Sequence, residues 1–232
     1  MAIVSEKDIN CSVPVIKVKN TKTELRSLLN RFYGNPNDRF KFIGVTGTSG
    51  KTTTSIIIYE ILKHIKNSAY IGSAEVLSNK FNLNEVVNTT PDICELYNWL
   101  ENLSDNEYIA IETSSVGLKQ NRMGTIKFDI GIYTNISFNH LNIHGTFEDY
   151  KKSKQILFDN IKKTGYAILN IDDHYFNDFL SHCHCHIITY GKSKEANIRI
   201  VDINLKLKNT MFTIIYKNQK YKITTNLIGE FN

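Results

Sequence analysis

The residues Phe40-Lys-Phe-Ile-Gly44-Val-Thr46 followed by Gly47-Thr48-Ser49-Gly50-Lys51-Thr52-Thr53 decide the fold of this 232-residue chain. The first seven read as a buried apolar strand. The glycines then break the strand, and the residues after Lys51 carry a helical pattern through Ile65. Glycines between a strand and a helix let backbone N–H groups turn toward an anion, and the helix N-terminus adds partial positive charge. Val45 stands where the general phosphate-loop pattern has its first glycine, so the segment is the narrower variant T-G-T-x-G-K-T. This pattern assigns the loop Gly47, Thr48, Ser49, Gly50, Lys51, Thr52 and Thr53 to nucleotide phosphates. Lys51 is expected on the β- and γ-phosphates and the Thr52 hydroxyl in a Mg²⁺ shell.

Working outward, strands alternate with helices. Residues 69–71, 108–111, 128–133, 166–170 and 186–190 read as strands. Residues 91–103, 146–163 and 173–181 read as helices, the first with Thr90 as N-cap and Pro91 at its first position. This rhythm predicts an α/β fold of the phosphate-loop type, with a mostly parallel, doubly wound sheet. Upstream, residues 13–18 read as a short strand and residues 23–32 as a helix, ended by Gly34-Asn-Pro-Asn. Downstream, residues 198–203, 206–216 and 220–227 alternate apolar and polar side chains. That pattern predicts a small antiparallel β-lobe near the C-terminus, seated on the α/β core.

Composition narrows the function classes. With 41% hydrophobic residues the chain can bury one sizeable core. The formal net charge of +5 comes from scattered lysines, with no basic run interleaved with aromatics, so the reading is a solvated surface and no nucleic-acid partner. No signal peptide opens the chain and no run is long enough to span a bilayer, so no membrane partner and a cytoplasmic setting are expected. Cys11, Cys94, Cys183 and Cys185 form no zinc-knuckle or disulfide spacing. His182-Cys183-His184-Cys185-His186 lacks a second ligand cluster and reads as a polar lead-in to the next strand. In the 146–163 helix, Phe147, Tyr150, Lys154, Leu157, Phe158 and Ile161 share one face. A lysine in such a stripe is either snorkelling or buried, and a buried amine loses its proton more readily and can then react with CO₂.

TGTSGKTT resembles the ATP loop of the Mur ligases, which join an amino acid to a nucleotide-linked muramyl peptide. Similar loops occur in folylpolyglutamate and cyanophycin synthetases. Further strings resemble the Mur branch that adds the third residue of the stem peptide. Asn88-Thr89-Thr90-Pro91-Asp92 resembles its N-T-T-P segment. Glu112-Thr113-Ser114-Ser115-Val116-Gly117-Leu118-Lys119-Gln120-Asn121-Arg122 resembles E-[VA]-S-S-H-[GA]-L-x-Q-x-R, with Val116 where the family has His. Thr134-Asn135 through His140 to His144-Gly145 resembles T-N-[LI]-x-x-D-H-L-D-x-H-G, with Asn139 and Asn142 in place of the aspartates. HGTFEDYKKSK resembles H-G-x-x-x-x-Y-x-x-x-K, and Leu227-x-Gly229-x-Phe231-Asn232 resembles L-x-G-x-F-N.

The resemblance implies ATP and Mg²⁺ as cofactors, and UDP-muramyl-dipeptide and an amino acid as substrates of an amide-forming ligase working through an acyl phosphate. It places catalysis on Lys51, Glu112, His140 and a carbamylated Lys154, and metal on Thr52, Glu112, His140 and Lys154. It places the nucleotide's adenosine half near Asn170 and Asp173. The muramyl peptide falls to Asn88, Thr89, Thr90, Ser114, Gln120 and Arg122. By the same likeness, residues 1–34 are the end of a UDP-binding domain and residues 35–232 an incomplete central ATP-binding domain. The C-terminal amino-acid-binding domain is expected to be absent and the chain, probed alone as a monomer, not to ligate. A non-catalytic nucleotide-binding remnant and a folate- or cyanophycin-type ligase are the other readings.

Overall fold

The computed structural model describes residues 1–73, 75–83, 86–138 and 141–229, with Leu141 and Asn142 as backbone only. In chain order, β1 (Ile3–Ser5), β2 (Val15–Lys17), α1 (Thr21–Tyr33) and α2 (Pro36–Arg39) precede β3 (Lys41–Thr46) and α3 (Lys51–Leu62). Then follow β4 (Ser68–Ile71), β5 (Val76–Leu77), α4 (Ile93–Asn102), β6 (Tyr108–Glu112), α5 (Ser115–Lys119), β7 (Phe128–Tyr133), α6 (Leu141–His144) and α7 (Phe147–Asp159). The chain continues through β8 (Ile161–Asn170), α8 (Phe176–Leu180), β9 (His186–Gly191), β10 (Ile198–Leu205), β11 (Thr210–Tyr216) and β12 (Gln219–Thr225). β1 and β2 form a separate two-stranded parallel sheet, and all the other strands join one ten-stranded sheet.

The sheet order β12-β11-β10-β9-β8-β7-β3-β6-β4-β5 puts β3 between β6 and β7. Both neighbours run parallel to it, so the strand order reverses at β3 and a crevice opens beyond its C-terminal end. Side chains alternate across β3. Ile43 and Val45 join Ile58 and Leu62 of α3 on one face. Phe42 joins Leu96, Leu100, Leu157 and Phe158 of α4 and α7 on the other. Gly44 leaves room for α7, since a Cβ there would lie 2.6 Å from Leu157 and 2.8 Å from the Phe128 ring. The mostly parallel α/β sheet read from the sequence is thus present.

Four details differ from the sequence reading. The small antiparallel element read near the C-terminus is present, but it joins the core edge to edge rather than packing over it. β10 pairs parallel with β9 through Ile198 and Arg199, so β10, β11 and β12 extend the main sheet as its antiparallel edge. Helix α4 is capped two residues later than expected, by Asp92 and Glu95 in a reciprocal capping box, which frees Thr90 for another task. α7 stops at Asp159, because the carbonyl of Asn160 accepts from Phe128 N and Ile161 pairs with Phe128 in the sheet. The short helix expected over 173–181 spans only Phe176–Leu180.

The His182–His186 segment is a turn whose Cys183 and Cys185 pack against the core while His182 pairs with Asp159 at 2.9 Å. Burial pushes the Cys183 thiol up to about 12, which makes it inert rather than a ligand. No described helix is long and apolar enough to cross a membrane.

Because Leu157 is fully buried beneath the loop-bearing strand, Leu157→Ala is expected to lower unfolding stability by about 2–5 kcal/mol. Urea denaturation followed by circular dichroism measures this, and an unchanged midpoint would contradict the packing described.

Candidate functional site

The phosphate loop leaves β3 at Thr46 and enters α3 at Lys51. Gly47 takes φ +155 and has no room for a side chain, since a Cβ would meet Thr134 Oγ1 at 1.9 Å. The first helical bond goes from Thr54 N to Gly50 O. Among the described residues, the N–H groups of Gly50, Lys51, Thr52 and Thr53 find no protein acceptor. Four donors at the N-terminus of a 12-residue helix form a ready anion receptor.

Two amines converge on this loop. Lys51 Nζ donates to the Gly47 and Thr48 carbonyls, both at 3.1 Å. Lys154 Nζ, arriving from α7, donates to the same Gly47 oxygen at 2.7 Å. Lys154 is only 1% exposed. Burial first, and the Lys51 charge second, hold its amine well below the ordinary lysine range. Burial also lowers Lys51, against the opposing pull of Glu112. Lys154 is therefore the buried, not the snorkelling, alternative.

Glu112 ends β6 beside the loop and is fully buried. Its Oε1 accepts from Tyr70 OH at 2.6 Å and from Ser73 N at 2.9 Å. Its Oε2 accepts from Thr52 Oγ1 at 2.9 Å and from Ser73 Oγ at 3.1 Å. These donors are all neutral, and among the described residues no Lys, Arg or His pairs with this carboxylate. A buried carboxyl group that makes no salt bridge, feels the Lys51 charge only at longer range and is bonded to the Thr52 hydroxyl is a donor set that suits a hard divalent cation.

A cavity of about 320 Å³ opens on this cluster, and its walls include Lys51, Asn88, Thr89, Ser114, Arg122 and Lys154. The structure thus collects residues from four separate strings around one space. Gln120 is not on the walls, but its Oε1 accepts from Nε of the wall residue Arg122 at 2.9 Å. Arg122 Nη1 donates to Thr90 O at 2.9 Å. Thr90 is not on a wall. Its side chain is fully buried, and its hydroxyl donates to Glu112 O and accepts from Ser114 N, so it joins the end of β6 to the start of α5. A shallower hollow of about 490 Å³ near Arg39, Lys66 and Asp105 lies at the opposite strand ends and gathers none of the motif residues.

Asn170 and Asp173 approach the loop from behind. Asn170 Nδ2 donates to Thr134 O at 2.9 Å. Asp173 accepts from Tyr133 OH, Ile136 N and Tyr175 N. Asn139, His140, the Asn142 side chain, Phe231 and Asn232 lie outside the described residues. Sequence reasoning gave no role to Tyr70, Ser73 and His144. Tyr70 and Ser73 hold Glu112, and His144 is buried between Ser115 at 3.0 Å and Ser153 at 3.4 Å. Only the Gly72-Ser73 break after a strand marked the first two.

The family described as "Mur ligase middle domain" matches residues 45–232. The UDP-N-acetylmuramoyl-L-alanyl-D-glutamate–2,6-diaminopimelate ligase of Bacillus cereus is 34% identical over 240 residues, covering 100% of this chain and 49% of that protein. The Clostridium tetani protein of the same name is 33% identical over 230 residues, covering 95% and 45%. A solved structure with that enzyme name superposes with a TM-score of 0.84 at 26% identity, over 99% of this chain and 48% of the other. A crystal structure of MurF from Acinetobacter baumannii, with a TM-score of 0.70 at 18% identity over 99% of this chain and 47% of the other, shares the fold. The chain spans about half the length of the curated relatives it matches.

The depressed Lys154 amine has a sign that can be tested. The unfolded chain holds this proton up to the ordinary lysine range, whereas the folded chain gives it up at lower pH. Between those two pH values the unfolded state binds more protons, so stability rises with pH. Lys154→Met removes that contribution. The variant's stability relative to wild type is expected to fall as pH is raised from 7 to 9.5, by at most about 1.4 kcal/mol per pH unit. Parallel urea titrations at both pH values measure it, and a pH-independent difference would count against a depressed amine.

Proposed function

This chain belongs to the Mur ligase family, and from that premise we propose that residues 35–232 form the nucleotide-binding middle domain of an ATP-dependent acid–amino-acid ligase. Residues 1–34 would then be the tail of a preceding UDP-binding domain. The observation that carries the reading is the convergence of Lys51 and Lys154 on one loop carbonyl, beside a buried Glu112 bonded to the Thr52 hydroxyl.

In this reading, the free N–H groups of Gly50, Lys51, Thr52 and Thr53 receive the triphosphate, and Lys51 swings from its loop carbonyls to the β- and γ-phosphates. Thr52 and Glu112 would hold Mg²⁺, with His140 and a carbamylated Lys154 as further ligands. Bound there, the cation would offset charge on the transferring phosphoryl group. Burial favours the neutral form of the Lys154 amine, the form that adds to CO₂ to give a carbamate. Phosphoryl transfer to the acid substrate gives an acyl phosphate and ADP. Attack by an amino group then gives the amide and phosphate.

The cavity supports a substrate assignment on the acid side. Asn88, Thr89, Ser114, Gln120 and Arg122 would contact a UDP-muramyl-dipeptide. The Arg122 fork keeps Nη2 for a carboxylate or phosphate once Nε and Nη1 are engaged within the protein. The names of the matched relatives favour diaminopimelate as the incoming amino acid, and a nucleotide-linked substrate suits a cytoplasmic setting. Asn170 and Asp173 would lie near the adenosine half of the nucleotide, where they also brace the segment after β7.

Isothermal titration tests the nucleotide half. The 232-residue chain is expected to bind Mg·ATP, Lys51→Ala to abolish the heat, and Glu112→Gln to remove its Mg²⁺ dependence. Equal binding by wild type and Lys51→Ala would overturn the assignment. A ligand screen is expected to favour UDP-muramyl-dipeptide over folates, and a preference for folates would move the chain to another ligase class.

A further inference from the structure

We propose that Asn135 is a positioning residue of the phosphate loop, which it grips from outside so that the Gly50 N–H is aimed at the anion. The proposal rests on the nucleotide-binding reading above, and it concerns a residue given no role there.

Thr134 and Asn135 follow β7 directly, and β7 runs beside β3 in register. The end of one strand therefore lies against the loop that leaves the other. Thr134 N bonds to Thr46 O at 3.1 Å, which fixes this alignment. From there every polar group of Asn135 that the structure pairs is spent on the loop. Its Oδ1 accepts from Ser49 N at 3.1 Å, its Nδ2 donates to Ser49 O at 3.1 Å, and its backbone oxygen accepts from Thr48 N at 2.8 Å. Thr134 Oγ1 adds a second donor to Ser49 O at 2.7 Å. Ser137 N donates to Thr48 Oγ1 at 2.9 Å.

The amide is the side chain this task requires. One short group must donate to a carbonyl and accept from an N–H of the same residue. An aspartate offers acceptors only, and a threonine cannot span both atoms.

The consequence follows from peptide geometry. The Ser49–Gly50 bond is trans, like every peptide bond among the described residues. In a trans peptide the C=O and the following N–H point in opposite directions. Two donors that hold the Ser49 carbonyl toward residues 134 and 135 therefore turn the Gly50 N–H away from them, to the side of the α3 N-terminus. The Ser49 N–H is already spent on Asn135, so it is not one of the anion donors. The anchor is itself anchored. Asn170 and Asp173 hold Thr134 O and Ile136 N, which gives both residues a path to the nucleotide without touching it.

Two variants separate the parts of this device. Asn135→Ala removes both side-chain bonds to Ser49. Thr134→Val removes the second hold on the Ser49 carbonyl, together with a longer bond to Thr46 O at 3.3 Å, and leaves both Asn135 side-chain bonds in place. Both are expected to weaken Mg·ATP, by roughly five- to twentyfold for Asn135→Ala and less for Thr134→Val, from the loss of one or two net hydrogen bonds. Amide hydrogen exchange in the nucleotide-free protein is a readout independent of binding. The Ser49 N–H should be protected in wild type and in Thr134→Val, and should exchange faster in Asn135→Ala while the core strands keep their protection. Unchanged Ser49 exchange in Asn135→Ala, or wild-type affinity for Mg·ATP in that variant, would overturn the proposal. If wild type itself bound no nucleotide, the functional reading would fail, and the Ser49 exchange difference would still decide whether Asn135 holds the loop.

Discussion

The carbonyl oxygen of Gly47 accepts from two lysine amines, one from the helix the loop itself begins and one from α7 across the cleft. Bringing two ammonium groups to one oxygen in a buried place is unfavourable unless one of them is neutral. That constraint ties the rest of the structure together. α7 must lie close against β3, which requires the missing side chain at Gly44. Lys154 must be enclosed by Tyr150, over whose ring its nitrogen sits at 4.6 Å. Glu112 is then the acidic group of the cluster, its hydrogen bonds all from neutral donors and Lys51 acting on it at longer range.

The loop is shaped from three sides. Lys154 holds it from α7, Glu112 takes the hydroxyl of Thr52 from β6, and residues 134–137 hold Thr48 and Ser49 from the end of β7. Each contact comes from a strand or helix that the central sheet already places, because β3 lies between β6 and β7. A site built this way on rigid elements needs little rearrangement to present its N–H groups. The Thr90 hydroxyl does similar work on the substrate side, where it links Glu112 O to the cap of α5 and leaves Arg122 beside the cavity.

Much of this was legible in the residues. The apolar run at 40–46, the glycines after it and the alternation of strand and helix gave the parallel sheet. The helical stripe that includes Lys154 marked an anomaly that burial resolves. What the sequence left hidden was set by tertiary contact. Thr90 looked like a helix cap because Pro91 follows it, but Asp92 and Glu95 compete better for that position. Ile161 fitted the helical period of α7, but its sheet partner Phe128 lies more than thirty residues earlier. The C-terminal hairpins looked like a separate lobe, since alternation cannot show which strand lies at the edge of another sheet. Asn135 was visible only as part of the T-N string, with nothing local to give it a role. Its importance comes from facing Ser49, 86 residues away.

The central claim is that Lys154 is a neutral amine held in the phosphate cleft. Lysine side-chain NMR titration in CO₂-free buffer, with Lys154→Arg to assign the resonance, tests it most directly. The account predicts one lysine that loses its proton well below the ordinary range, and that forms a carbamate when ¹³C-bicarbonate is added. Lysines that all titrate in the ordinary range, with no carbamate signal, would contradict it.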